Sequence, residues 1–329
     1  MRLKRVLKFL VGLVLAVLAL AAIVIGLGAY FLYTPEPEPP ALPGTMSKGS
    51  LEFGGLTRSY QFYRPKDLPK GAPLVVVMHG AGESSADIRV ETGYAFERLA
   101  DKEGFALVYP NGFEGWWDAC PAADDSEANR RDIDDVGFLS ALEDKLAGEA
   151  GIDPARIFAT GVSNGGDMAI RLALEAPSRY RAVAPVAANL PAPGGSKCKP
   201  AAGKPVSVLL VHGTADRLEP YDGGEGSLFG FFASGKIVST RDTGQYFADL
   251  AGIKGAPAAI QGKTADGFVT DTYQWRTGSG PEVELFAIRG AGHVFPQPYY
   301  TARRLLGASP KDPDAAVLIW DFFARQKGV

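Results

Sequence analysis

The pentapeptide Gly161-Val162-Ser163-Asn164-Gly165 follows directly on Arg156-Ile157-Phe158-Ala159-Thr160, an apolar run of strand length. No other stretch constrains the fold of this chain as much. A strand that turns sharply into a helix crowds the backbone around the turn, so the flanking positions must lack a Cβ and the serine hydroxyl is left above the sheet edge. This is the layout of a nucleophile elbow, and it predicts a hydrolytic serine at position 163. With 40 glycines among 329 residues the pattern can also arise without that meaning, so the rest of the chain has to agree with it.

The surrounding elements do agree. Leu74-Val75-Val76-Val77-Met78 is a continuous apolar run ending at His79-Gly80, and 105–109, 157–160, 182–186 and 206–211 repeat the pattern. Runs without polar alternation belong to strands buried on both faces. Helical stretches over 93–102, 135–150 and 167–175 lie between them, and strands alternating with helices predict an α/β fold with a mostly parallel central sheet flanked by helices. Residues 50–63, with Gly54-Gly55 at their centre, read as an antiparallel edge hairpin; 282–288 reads as the last strand and 315–326 as a closing helix.

Ahead of this domain, Arg2, Lys4, Arg5 and Lys8 precede a stretch from Phe9 to Tyr33 without a charged residue. As a helix those 25 or so residues reach about 37 Å, enough to cross a hydrocarbon core of about 30 Å. The small residues Ala19, Ala21 and Ala22 lie in mid-run with Ile23-Val24-Ile25 still to come, which favours an uncleaved membrane anchor over a cleaved signal segment. Basic residues before the span keep the N-terminus cytoplasmic and put the remainder outside the cytoplasm, in the periplasm or at the cell surface; cleavage would make it a secreted protein. The proline-rich stretch Thr34 to Pro43 reads as a stiff tether. The expected organisation is a basic start and anchor over 1–33, a linker over 34–45 and one catalytic domain over 46–329.

The formal charge is −3, and removing the four basic residues before the apolar run leaves −7 for the remainder, which disfavours nucleic acid as a partner. The bilayer, through the N-terminal helix, and an ester substrate are the partners expected. Cys120 and Cys198 are the two cysteines, both in loop-like sequence; in an oxidising compartment an isolated pair is expected to bridge. Neither has a second ligand at zinc-type spacing, so neither a metal nor another cofactor is expected.

A serine hydroxyl needs a base within reach, and the base needs an orienting acceptor. Three histidines are available. His79 and His212 each end a strand in a His-Gly pair and read as packed, hydrogen-bonded residues beneath the site. His293 follows Arg289-Gly290-Ala291-Gly292, a loop after the last strand, and is the expected base. Asp216, in Val211-His212-Gly213-Thr214-Ala215-Asp216, is the expected acid, with Asp222 and Asp249 as weaker competitors. Each of Ser163, Asp216 and His293 follows a strand, where active groups of such sheets gather, and the order Ser, Asp, His is that of the α/β-hydrolase triad. The oxyanion donors expected are the amides of Asn164 and of Ala81, with Gly82 as the alternative to Ala81. Asp134 and Asp135 read as residues capping the helix they open. Trp116 and Trp117 fit equally a substrate wall or packing under their loop.

Taken together, 75–80, Tyr109-Pro110-Asn111-Gly112, 134–138, Gly161 to Gly166, 212–216 with Pro220-Tyr221-Asp222-Gly223-Gly224, and Gly290-Ala291-Gly292-His293 resemble the esterase family of polyhydroxybutyrate depolymerases and feruloyl esterases within the α/β-hydrolases. The resemblance spans nearly the whole of the outer domain in the family's order. It implies Ser163 as nucleophile, Asp216 as acid and His293 as base in ester hydrolysis through an acyl-enzyme. The chain departs from that pattern at Ala81, where depolymerases often carry cysteine, and at Val294-Phe295-Pro296-Gln297, where Trp-Pro-Gly is common. A polymeric substrate therefore does not follow. A serine peptidase of the same fold and a tethered, non-catalytic binding protein are the alternative functions.

Overall fold

The computed structural model describes residues 2–201, 205–225, 235–278 and 280–326. The N-terminal apolar run is helix α1 (Arg2–Leu32), and residues 33–42 after it have no regular secondary structure. Its 31 residues correspond to about 46 Å, a membrane-spanning length. Its large apolar side chains from Val6 to Leu32 are exposed. The end of α1 touches the domain through Arg304, whose Nη1 donates to Tyr30 O at 3.1 Å and whose guanidinium lies 4.5 Å from the Tyr30 ring centre.

Gly54 and Gly55, both at positive φ, close the expected hairpin of β1 (Thr45–Phe53) and β2 (Leu56–Arg64). Then come β3 (Ala72–Met78), α2 (Ser85–Glu91), α3 (Ala95–Glu103), β4 (Ala106–Pro110), α4 (Glu127–Arg130), α5 (Asp135–Ala150), β5 (Ile152–Val162), α6 (Asn164–Glu175), β6 (Ala182–Val186) and β7 (Ser207–Gly213). The chain continues through β8 (Gly224–Glu225), β9 (Lys236–Ile237), α7 (Thr240–Leu250), β10 (Ala258–Lys263), β11 (Val269–Trp275), β12 (Val283–Ile288) and α8 (Ala315–Ala324).

Ten strands form one sheet in the order β1-β2-β4-β3-β5-β6-β7-β12-β11-β10. From β4 to β12 neighbours run parallel, and the two outer hairpins are antiparallel. This is the α/β-hydrolase arrangement. Side chains of β3 feed two cores in alternation: Leu74, Val76 and Met78 pack with α5, α6 and α7 on one face, Val75 and Val77 with α2, α3 and α8 on the other. That is why the run carries no polar residue, each fully buried aliphatic side chain contributing about 1.5–3 kcal/mol. The hairpin β10–β11 was not foreseen; β10 is exposed along its whole length and its sequence carries no apolar alternation to reveal it.

The helix opening at 134–135 uses its aspartates differently from one another. Asp134 caps α5 by accepting from Gly137 N at 2.7 Å, as expected. Asp135 is fully buried, paired with Arg58 at 2.6 Å, and accepts from Asp118 N at 2.8 Å, so it ties the hairpin and the loop after β4 to the helix. Farther along that loop Cys120 is bonded to Cys198, 78 residues away. Lys197 N donates to Cys120 O at 3.0 Å, and the Lys197 and Arg171 side chains both bind Asp118. A bond closing a loop of this length is worth about 2–4 kcal/mol. The Cys120→Ser/Cys198→Ser protein is expected to lose that amount in equilibrium urea unfolding followed by tryptophan fluorescence; an unchanged midpoint would contradict it.

Candidate active site

Ser163 stands between β5 and α6 at φ 56°, ψ −125°, a strained conformation for a residue with a Cβ, costing about 1–3 kcal/mol. Its amide donates to Val186 O at 3.0 Å, which pins the turn to β6. The flanking glycines are steric necessities. A Cβ on Gly161 would collide with the Gly165 carbonyl, and one on Gly165 would collide with the carbonyls of Met78 and His79 at the end of β3. The turn therefore sits directly against the loop that begins at Gly80.

That loop carries the Ala81 amide, and α6 begins with the Asn164 amide; neither has an acceptor among the described residues. The Gly82 amide, the alternative donor, is occupied by Gly115 O at 2.9 Å, and the Gly80 amide by Glu83 Oε2 at 2.9 Å. Asn164 is fixed through its side chain, which accepts from Trp117 N at 2.8 Å and donates to Trp117 O at 3.2 Å.

Asp216 and His293 come together from the loops after β7 and β12. His293 Nδ1 lies 2.7 Å from Asp216 Oδ2, while Asp216 Oδ1 accepts from the amides of Leu218 and Glu219, each at 2.9 Å. The two loops are joined by Ala215 N donating to Ala291 O at 2.9 Å, and the segment after β12 is held to itself by His293 N donating to Leu306 O at 2.8 Å. Burial alone would lower the His293 pKa; the Asp216 charge and hydrogen bond overcome it and raise the pKa above 6.5. Burial would raise the Asp216 pKa, but His293 holds it below the usual carboxylate value. Ser163 and His293 line one cavity of about 810 Å³, together with Ala81 and Asn164. The Ser163 hydroxyl makes no hydrogen bond among the described residues, whereas the Asp216–His293 contact is formed. Such contacts commonly tighten only when substrate arrives.

The other histidines lie beneath the site. Burial holds the His79 pKa down to about 4; the neutral ring donates through Nδ1 to Gly80 O at 2.7 Å and accepts from Gly112 N at 2.9 Å. Burial likewise lowers His212, which donates through Nε2 to Glu219 O at 2.7 Å and sits 3.5 Å from Asp216 Oδ2, backing the acid. Of the two competing acids, Asp222 and Asp249 have no contact with His293.

The tryptophans divide between the two roles read for them. Trp116 lines the cavity. Trp117 is fully buried, donates through Nε1 to His79 O at 3.0 Å and packs on the His79 ring, so it supports the loop and does not form a wall. At the departure after His293, buried Gln297 accepts from the amides of Tyr299 and Tyr300 and donates to Tyr300 O at 2.8 Å, holding the loop by hydrogen bonds. Sequence alone did not single out the carboxyls that line the cavity wall, among them Glu83, Glu91, Asp124 and Asp167. Only Asp167 carried a signal: four residues after Ser163, it lies on the same helical face. No group of three or more His, Cys, Asp or Glu placed to hold a metal occurs among the described residues.

A model of the esterase PHB depolymerase family matches residues 58–190, which include the serine turn and stop before Asp216 and His293. NocK of Nocardia uniformis subsp. tsuyamanensis, provisionally named an esterase, is 33% identical over 308 residues, covering 88% of this chain and 86% of its own. Feruloyl esterase B of Piromyces equi is 28% identical over 231 residues, 68% of this chain, which spans only 40% of that protein's length. In fold, the acetyl xylan esterase of Aspergillus awamori superposes with a TM-score of 0.54 over 75% of this chain and 94% of its own, at 14% identity.

Because Asp216 favours the protonated imidazole, His293 should titrate above 6.5, taking up its proton earlier as pH falls than an isolated histidine does. In Asp216→Asn the midpoint should move down. Histidine-ring NMR over pH 4–9 reads both, and a His293 midpoint unaffected by that substitution would contradict the coupling.

Proposed function

We propose that this chain, which belongs to the PHB depolymerase family of esterases within the α/β-hydrolases, hydrolyses carboxylic esters through an acyl-enzyme formed on Ser163. The observation that carries the reading is the 2.7 Å His293–Asp216 pair opening into the same cavity as a strained, half-buried serine at the head of α6. Ser163 Oγ attacks the ester carbonyl as His293 Nε2 takes its proton; Asp216 holds Nδ1–H, fixing the tautomer, and stabilises the imidazolium without accepting the proton. The oxyanion falls to the unoccupied amides of Ala81 and Asn164, each such donor being worth about 3 kcal/mol of barrier. His293 returns the proton to the departing alcohol, then activates water for deacylation by the same path.

The N-terminal helix of membrane-spanning length and the disulfide support the rest of the proposal: 1–33 anchors the chain in a bilayer, 34–45 is the tether, and 46–329 works outside the cytoplasm. Relatives named for feruloyl, acetyl xylan and polyhydroxyalkanoate esters support an ester substrate and leave its acyl and alcohol parts to be defined by the cavity.

Ser163→Ala should lower kcat/KM for p-nitrophenyl butyrate on the order of 10⁴-fold or more while circular dichroism stays unchanged. Turnover of that folded variant near the wild-type rate would overturn the assignment.

A further inference from the structure

Asp167 is a carboxyl of the cavity wall that this reaction does not use, and its side chain accepts no hydrogen bond among the described residues, as is also true of Glu91 and of the exposed Glu114. Asp167 is only 6% exposed. Its amide makes the first turn of α6 by donating to Ser163 O at 2.9 Å, so its side chain lies on the face of the helix that carries Ser163, in the cavity wall. An aspartate at a helix start ordinarily caps free amides or meets the helix dipole at the surface. Asp167 accepts from no amide and is buried, so capping does not account for it.

The charges around it make the site electronegative. Those bearing on Asp167 are Asp124, which lines the same cavity, and His293. Arg130, also in the wall, is committed to Asp125 at 2.7 Å and Glu127 at 2.8 Å. Arg303, also in the wall, acts on Glu83 and Glu91, and Lys197, whose charge reaches Asp124, is bound to Asp118. A buried carboxyl stays protonated until a counter-charge makes its ionised form favourable, and here the open side from which one can arrive is the substrate cavity.

We propose that Asp167, with Asp124 beside it, forms a subsite for an organic cation, so that the esters this site takes carry an ammonium group next to the scissile bond. The inference rests on reading Ser163 as the nucleophile of that cavity. Burial and the Asp124 charge push the Asp167 pKa up to about 8, against the opposing pull of His293, so in the empty site at pH 7 it holds its proton. An arriving ammonium favours the ionised carboxylate, and the displaced proton leaves to solvent. Cation binding is thus coupled to proton release, a signature that a purely structural aspartate lacks.

The test is calorimetric titration of the full-length protein in uncharged detergent with n-butylammonium and with 1-butanol, at pH 7 in two buffers of different ionisation enthalpy. The ammonium is expected to bind at least tenfold more tightly than the alcohol, with buffer-dependent heat reporting proton release. Asp167→Asn should lower its affinity at least tenfold and abolish the release, and Asp167→Glu should keep the preference for the cation. Equal affinities, or a preference that survives in Asp167→Asn, would overturn the proposal; should that variant misfold, absence of proton release from the wild type does the same. Ser163-dependent hydrolysis of p-nitrophenyl pentanoate beside p-nitrophenyl 4-aminobutyrate separates the two readings. Turnover of the neutral ester without cation preference defeats the subsite alone, and cation binding without turnover of either ester defeats the esterase reading alone.

Discussion

The backbone cannot pass from β5 into α6 as it does unless positions 161 and 165 lack side chains. With them bare, α6 moves in until Gly165 rests against the carbonyls of Met78 and His79, and the loop after β3 lies beside the serine. That close approach is a steric condition, but its consequence is electrostatic. It leaves the Ala81 and Asn164 amides without acceptors among the described residues at the rim of the same cavity, while the neighbouring amides of Gly80 and Gly82 are satisfied by Glu83 and Gly115. The strain at Ser163 persists because the surrounding packing over-determines it, with β3 and β5 in register on one side and Val186 holding the Ser163 amide on the other.

The second half of the site is built by different means. Asp216 and His293 lie 77 residues apart, and their loops are held by backbone hydrogen bonds between Ala215 and Ala291 and between His293 and Leu306. Glycines again make room, since a Cβ on Gly213 would strike the Ala291 and Gly292 carbonyls. His212 behind the acid and His79 beneath the oxyanion loop are both kept neutral by burial, so the site contains one imidazole raised toward protonation and two held away from it. On the proposed mechanism, that division separates the base from two struts.

Much of this was legible in the chain because steric rules leave marks in sequence. Strands buried on both faces must be uninterrupted and apolar, as 74–78 and 206–211 are, and a tight turn must be glycine-flanked, as Ser163 is. The hairpin β10–β11 escaped because an exposed edge strand needs no pattern. The roles of Trp116 and Trp117 could not be divided from sequence, since which of two adjacent residues faces the cavity depends on how Asn164 grips the loop. The same holds for Asp135, whose pairing with Arg58 is a contact across 77 residues that no local rule encodes. The acidic character of the cavity was hidden too, because Glu83, Glu91, Asp124 and Asp167 converge from separate elements.

The central claim is that Ser163 becomes acylated, and trapping that intermediate tests it most directly. The protein would be mixed with p-nitrophenyl butyrate, quenched in acid within the first turnovers, digested and mapped by mass spectrometry. The account predicts a butyryl group on the Ser163 peptide, present at early times and gone once substrate is exhausted. Rapid p-nitrophenol release with no acyl group on Ser163, or with the group on another residue, would contradict it.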